Sequence, residues 1–102
     1  MVNKILENKF EEVKNEKIAL IDFSATWCGP CKRLAPVLEE VSEEINDVKF
    51  YNIDIDECPT LAKSFNVYSI PTLLILKDGK AVDTMIGFQP KVNILTFIKD
   101  NI

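Results

Sequence analysis

Asp22-Phe23-Ser24-Ala25-Thr26-Trp27-Cys28-Gly29-Pro30-Cys31-Lys32 is the stretch on which the reading of this chain turns. It continues an apolar run that starts at Ile18 and reads as a buried strand, and its two thiols stand three positions apart. If a helix begins here, Cys28 sits at its N-terminus, where unpaired backbone N–H groups and the positive end of the dipole favour a thiolate. Cys31 then lies one turn further in, close enough to form a disulfide with Cys28. Such a pair exists as dithiol or disulfide, and exchange between the two is a chemical activity in itself.

Other uses of these cysteines fit less well. A structural zinc site takes four ligands, usually Cys or His, but the chain has one further cysteine, Cys58, and no histidine. A Cys₄ iron–sulfur site is short by the same count. A purely structural disulfide closing so small a ring removes little chain entropy. A redox pair is the reading the spacing favours.

Working outward, Val2 to Ile5 reads as a short first strand, and Phe10 and Val13 among Glu and Lys predict a helix from Asn8 to Asn15. Ile18 to Phe23 is too apolar for a half-exposed strand and suits the centre of a parallel sheet. From Cys28 to Ile45, Leu34, Leu38, Val41 and Ile45 recur at helical spacing. Pro36 inside that helix removes a backbone bond and predicts a kink.

Val48 to Asp54 reads as a strand, and Pro59 to Phe65 as a short helix with proline in its first turn. Thr72–Leu76 and Ala81–Ile86 flank Lys77-Asp78-Gly79-Lys80, whose Asp-Gly pair predicts an antiparallel hairpin. Pro90 opens a last helix carrying Val92, Leu95 and Ile98. The pattern is an α/β fold with a mixed sheet and helices on both faces.

The 102 residues suffice for one core, so residues 1–102 are read as a single domain. With 47% apolar residues the chain is no disordered tail. A net charge of −4 argues against a nucleic-acid or anionic-membrane surface. No apolar run approaches the roughly 20 residues that span a bilayer. Met1 to Glu7 lacks the apolar core of a signal peptide. Few cysteines and no export signal predict a reducing, cytoplasmic location.

The eleven-residue stretch resembles the active-site segment of the thioredoxin family. Pro36, Asn52-Ile53-Asp54, Ile70-Pro71-Thr72 and Gly87 follow in the family's order and spacing, so the likeness covers essentially the whole chain. It implies the thioredoxin fold and a general protein-disulfide reductant, recharged by a thioredoxin reductase and acting on disulfide-containing client proteins. The protein would work as a monomer without cofactor or metal. A specialised donor to one enzyme system is the nearer alternative. A redox-inactive interaction module is the more distant one, and the presence of both cysteines speaks against it.

Roles follow residue by residue. Cys28 is the nucleophile and Cys31 the resolving thiol, the first accessible and the second shielded. Gly29 and Pro30 tune the pair: proline suits a first helical turn and stiffens the loop. Gly-Pro resembles the reductants of the family, whereas oxidising relatives often carry histidine there. Lys32 and Arg33 read as solvated helix-face charges rather than tuning groups.

Asp22 is a carboxylate in an apolar strand, and burial should raise its pKa. The residues alone allow a strand-edge Asp bonded to backbone; the resemblance implies the proton acceptor for Cys31. Some relatives pair that aspartate with a lysine one strand over. Counting back from Asn52-Ile53-Asp54 puts the matching position at Phe50, with Lys49 on the opposite face. Ser24 stands where many bacterial relatives carry tryptophan, which predicts a more open site.

Pro71 matches the family's cis-proline, with a trans proline starting an edge strand as the alternative. The resemblance has it pack against the cysteines and expose the Ile70 backbone to an extended substrate. Gly87 allows close backbone approach. Trp27, Pro30, Ile70 and Phe88 form an apolar, substrate-binding patch for unrelated proteins. Cys58, before Pro59, reads as an ordinary thiol, with accessory oxidation or dimerisation as the alternatives.

Overall fold

Alternating apolar strands and amphipathic helices order this chain into layers. A computed structural model describes residues Met1–Ile102. The elements are β1 (Val2–Lys4), a 3₁₀ turn Glu7–Lys9 leading into α1 (Phe10–Lys14), β2 (Ile18–Ser24), α2 (Gly29–Glu44) and β3 (Lys49–Asp54). There follow α3 (Pro59–Ser64), β4 (Thr72–Lys77), β5 (Lys80–Ile86) and α4 (Lys91–Lys99).

One five-stranded sheet runs in the order β1-β3-β2-β4-β5. β3 is parallel to both β1 and β2, whereas β4 is antiparallel to both β2 and β5. β2 lies at the centre, which is why its apolar side chains fill both faces of the sheet. Ala19, Ile21 and Phe23 pack with Phe10, Val13, Tyr51, Ile53 and Cys58 on the face covered by α1 and α3. Leu20 packs with Leu34, Leu38, Val41, Phe50, Ile94 and Ile98 on the face covered by α2 and α4. This is the expected α/β sheet covered on both faces.

Small departures have local causes. The predicted helix from Asn8 to Asn15 is a 3₁₀ turn followed by five α-helical residues, buried only through Phe10 and Val13. Pro36 is accommodated within α2, which continues to Glu44. The Oε1 of Glu7 accepts the N–H groups of Thr60 at 3.0 Å and Leu61 at 3.4 Å. It thereby supplies the cap that Cys58, at the start of α3, does not make.

The β4–β5 turn has positive φ at both central residues, 51° at Asp78 and 81° at Gly79, as a two-residue hairpin of this twist requires. A Cβ on Gly79 would also meet the Lys14 carbonyl oxygen at 3.3 Å. Gly79→Ala should therefore cost about 1–2 kcal/mol of stability, the penalty of a left-handed backbone bearing a side chain. A denaturant titration checks this, and an unchanged midpoint would refute it.

Candidate active site

The sheet order brings distant segments to one end. Because β2 and β3 are parallel, Ser24 lies opposite Asp54. Because β4 runs against β2 and β5, Thr72 lies between Phe23 and Ile86. The loops leaving β2, β3 and β5 and the loop entering β4 therefore converge around the two cysteines.

Cys28 is the last extended residue before α2, with φ −91° and ψ 110°, and Pro30 occupies the first turn where no N–H is needed. The Cys28 Sγ accepts the backbone N–H of Cys31 at 3.2 Å. Cys28 and Cys31 are joined by a disulfide with their Cα atoms 5.3 Å apart. A sulfur held at a helix N-terminus with an N–H aimed at it is placed where negative charge is favoured.

Exposure does not distinguish the two cysteines as expected: in this oxidised form Cys28 is 5% exposed and Cys31 4%. The disulfide tucks both sulfurs against Ala25, Ile55 and Ile70. What separates them is position, one before the helix and one inside it. Gly29 and Pro30 between them face solvent.

The Ile70–Pro71 peptide is cis, and Pro71 is buried. Its carbonyl accepts the Gly87 N–H at 2.8 Å, tying the loop after β5 to the start of β4. Ile70 reaches the cysteine cluster directly. Gly87 has φ 88°, but a Cβ there would meet nothing within 4 Å. Its backbone conformation, and not crowding within the chain, is what calls for glycine.

Trp27 is 66% exposed and Phe88 is also exposed, so two aromatic rings stand at the surface near the disulfide. Two contacts that local patterns do not announce hold them. The indole Nε1 of Trp27 donates to Asp56 Oδ2 at 2.8 Å. The Arg33 guanidinium lies 5.7 Å from the centre of the Phe88 ring, so this helix-face cation has a partner.

Asp22 is buried at 3% exposure. Burial raises its pKa from 3.8 to about 6, against a lowering by a hydrogen bond from Asn52. That bond, Asn52 Nδ2 to Asp22 Oδ2, measures 3.2 Å. Asp22 Oδ1 has no partner.

The residue facing Asp22 on β3 is therefore Asn52, while Phe50, the position where some relatives carry lysine, lies one pair further back. In the parallel register Asp22 opposes Asn52, whereas Phe50 opposes Leu20 and joins the apolar core. Lys49 is exposed beside Ala19. Ser24 does more than open the site, since its Oγ accepts from the same Asn52 amide at 2.8 Å.

Cys58 lies apart from the disulfide, fully buried, with its thiol donating to the Ile5 carbonyl at 3.8 Å. Burial pushes that thiol's pKa up. No three His, Cys, Asp or Glu side chains converge to hold a metal ion. No helix is long and apolar enough to cross a membrane.

Comparison with known proteins follows the same lines. The family model described as Thioredoxin matches residues 1–100. Thioredoxin from Listeria monocytogenes serovar 1/2a is 52% identical over 92 residues, covering 89% of each chain. Thioredoxin from Bacillus subtilis strain 168 is 49% identical over 89 residues, 86% of each chain. Among solved structures, a mutant thioredoxin from Halobacterium salinarum NRC-1 superposes with TM-score 0.90 at 32% identity, covering 96% of this chain and 88% of that one. The oxidised thioredoxin from Plasmodium falciparum gives 0.89 at 31% identity, covering 98% and 97%.

Proposed function

Because the chain belongs to the thioredoxin family, we propose that its 102 residues act as one domain, a general protein-disulfide reductant recharged by a thioredoxin reductase. The chain is a thiol–disulfide oxidoreductase by family and by its Cys28–Cys31 pair. The proposal adds the division of labour within the site, the partners and a cytoplasmic place of work.

Cys28, as thiolate, attacks one sulfur of a client disulfide. A mixed disulfide forms, and the client's other sulfur leaves as a thiolate that takes a proton from water. Cys31 then gives its proton to Asp22 and attacks the Cys28 sulfur. The Cys28–Cys31 disulfide forms, and the client's second sulfur is released as a thiolate and protonated. The client gains two electrons and two protons, and the reductase returns the same to this protein.

Gly29 and Pro30 set the stiffness of the ring that opens and closes. The Ile70 backbone beside Pro71 receives an extended client segment, while Trp27, Gly87 and Phe88 offer it an apolar surface. The observation that carries this reading is the Cys31 N–H aimed at the Cys28 sulfur at the start of α2.

The test is alkylation of the reduced protein near pH 7, followed by mass spectrometry. Cys28 should label roughly tenfold or more faster than Cys31, because the helix start lowers its pKa. Cys58 should be slowest, since it is fully buried and its thiol is held protonated. Faster labelling of Cys31 than of Cys28 would reverse the two roles.

A further inference from the structure

The primary amide of Asn52 faces three acceptors with two hydrogens. Its Nδ2 lies 2.8 Å from Ser24 Oγ, 3.2 Å from Asp22 Oδ2 and 3.2 Å from the Asp22 carbonyl oxygen. The short bond to Ser24 fixes the amide plane, and the second hydrogen is shared between the two oxygens of Asp22. One carboxylate oxygen is thereby held while the other, Oδ1, is buried without a donor. A buried carboxylate oxygen without a donor calls for an explanation, and a catalytic role is one that fits this site.

Space for that proton to leave lies beside it. A cavity of about 240 Å³ is lined by Asp22, Asn52, Val2, Lys4, Ala35, Leu38 and Glu39. It lies between β1 and α2; its walls are largely apolar, but Asp22, Asn52, Lys4 and Glu39 give a water polar partners there, and it is roomy enough to hold one.

We propose that Asn52 is a positioning residue of the resolving step: anchored on Ser24, it holds Asp22 Oδ2 and leaves Oδ1 free to take the Cys31 proton and pass it to water in this cavity. The proposal rests on the reading of Asp22 as the proton acceptor for Cys31. The proton moves from Cys31 Sγ to Asp22 Oδ1 and then to water, and the sulfur's electron pair forms the bond to Cys28.

The charged groups around Asp22 are few. β1 contributes Lys4, which is paired with Glu57. α2 contributes Glu39, whose Oε1 accepts the Val2 N–H at 2.8 Å. Asp54 lies two residues beyond Asn52 on the same face of β3 and accepts the Asp56 and Glu57 N–H groups. β4 places apolar Leu73 opposite Asp22. Asn52 is thus the one neighbour donating to the Asp22 side chain.

The test uses two substitutions with opposite expected signs. Asn52→Ala removes the donor to ionised Asp22, and Asn52→Lys replaces it with a cation. Carbon-13 NMR of the Asp22 carboxyl is recorded on the oxidised protein, where Cys28 and Cys31 do not titrate. The midpoint should rise by about one pH unit in Asn52→Ala and fall by about one in Asn52→Lys, a tenfold change in the acid constant each way. Rapid-mixing measurement of mixed-disulfide release against pH should show the same two displacements.

Equal midpoints, or displacements in the same direction, would overturn the positioning role, because repacking alone carries no sign. Midpoints that separate while the release profiles coincide would overturn the proposal through its premise, showing that Asp22 is not the acceptor. Should Asn52→Ala fail to fold, Asn52→Lys against the parent protein still reads the predicted fall.

Discussion

Cys28→Ser should abolish disulfide reduction, while Cys31→Ser should still attack a client and then stall as a covalent complex. Both variants lose turnover, and what accumulates tells them apart. Serine at 28 offers no thiolate at the helix start, so no mixed disulfide forms. Serine at 31 keeps the attacking sulfur and its position but removes the only thiol one turn away. Non-reducing electrophoresis after incubation with a protein disulfide would show the adduct for Cys31→Ser and none for Cys28→Ser. Turnover by Cys31→Ser comparable with the parent protein would remove the resolving role. Adducts formed in cell extract also separate a general reductant from a dedicated donor, since one dominant partner would mark the latter.

The second large effect concerns Asp22. Its pKa stands at about 6 in the folded chain against an ordinary 3.8, raised chiefly by burial. A raised folded pKa means that the folded state holds the proton more tightly than the unfolded one. The carboxyl is therefore no burden below about pH 4, and its ionisation becomes a burden as pH rises through about 6. The displacement corresponds to about 3 kcal/mol at neutral pH. Asp22→Asn should therefore unfold at higher denaturant than the parent protein at pH 7, by up to about 3 kcal/mol. The advantage should vanish near pH 4.

The same substitution should slow release of the mixed disulfide on the order of a hundredfold, the lower end of what a positioned base supplies. Formation of the mixed disulfide should be unaffected, because only Cys31 needs deprotonating by Asp22. Rapid-mixing kinetics beside denaturant titrations at the two pH values measure both effects. Unchanged release together with clear destabilisation would make Asp22 a structural residue.

The elements of this fold were legible because each carries its own period or punctuation. Ile18 to Phe23 is apolar on both faces because β2 lies between β3 and β4. Asp78-Gly79 announces its turn because only a few residues adopt two successive positive φ values. The cysteines were legible because their spacing is itself the geometry of one helical turn.

Partners across the sheet were not legible. Whether Asp22 faces Phe50 or Asn52 depends on register between strands about thirty residues apart, and a shift of two keeps every side chain on its face. Alternation therefore placed Lys49 on the opposite face correctly but could not single out Asn52 as the residue facing Asp22. The Trp27–Asp56 bond and the Glu7 cap on α3 likewise join segments that no local pattern connects.

The hydrogen bond from Cys58 to Ile5 turns that thiol into a gauge of breathing. Its sulfur is buried where the segment just after β1 meets the start of α3, so a modifying reagent reaches it only when one segment of that packing lifts away. Where the segment recloses faster than the reagent reacts, the labelling rate equals the opening equilibrium multiplied by the rate for a free thiol. With the Cys28–Cys31 disulfide closed, Cys58 is the sole thiol in the chain. A single rate constant, measured without introducing any probe, thus reads how often the packing around the start of α3 comes undone.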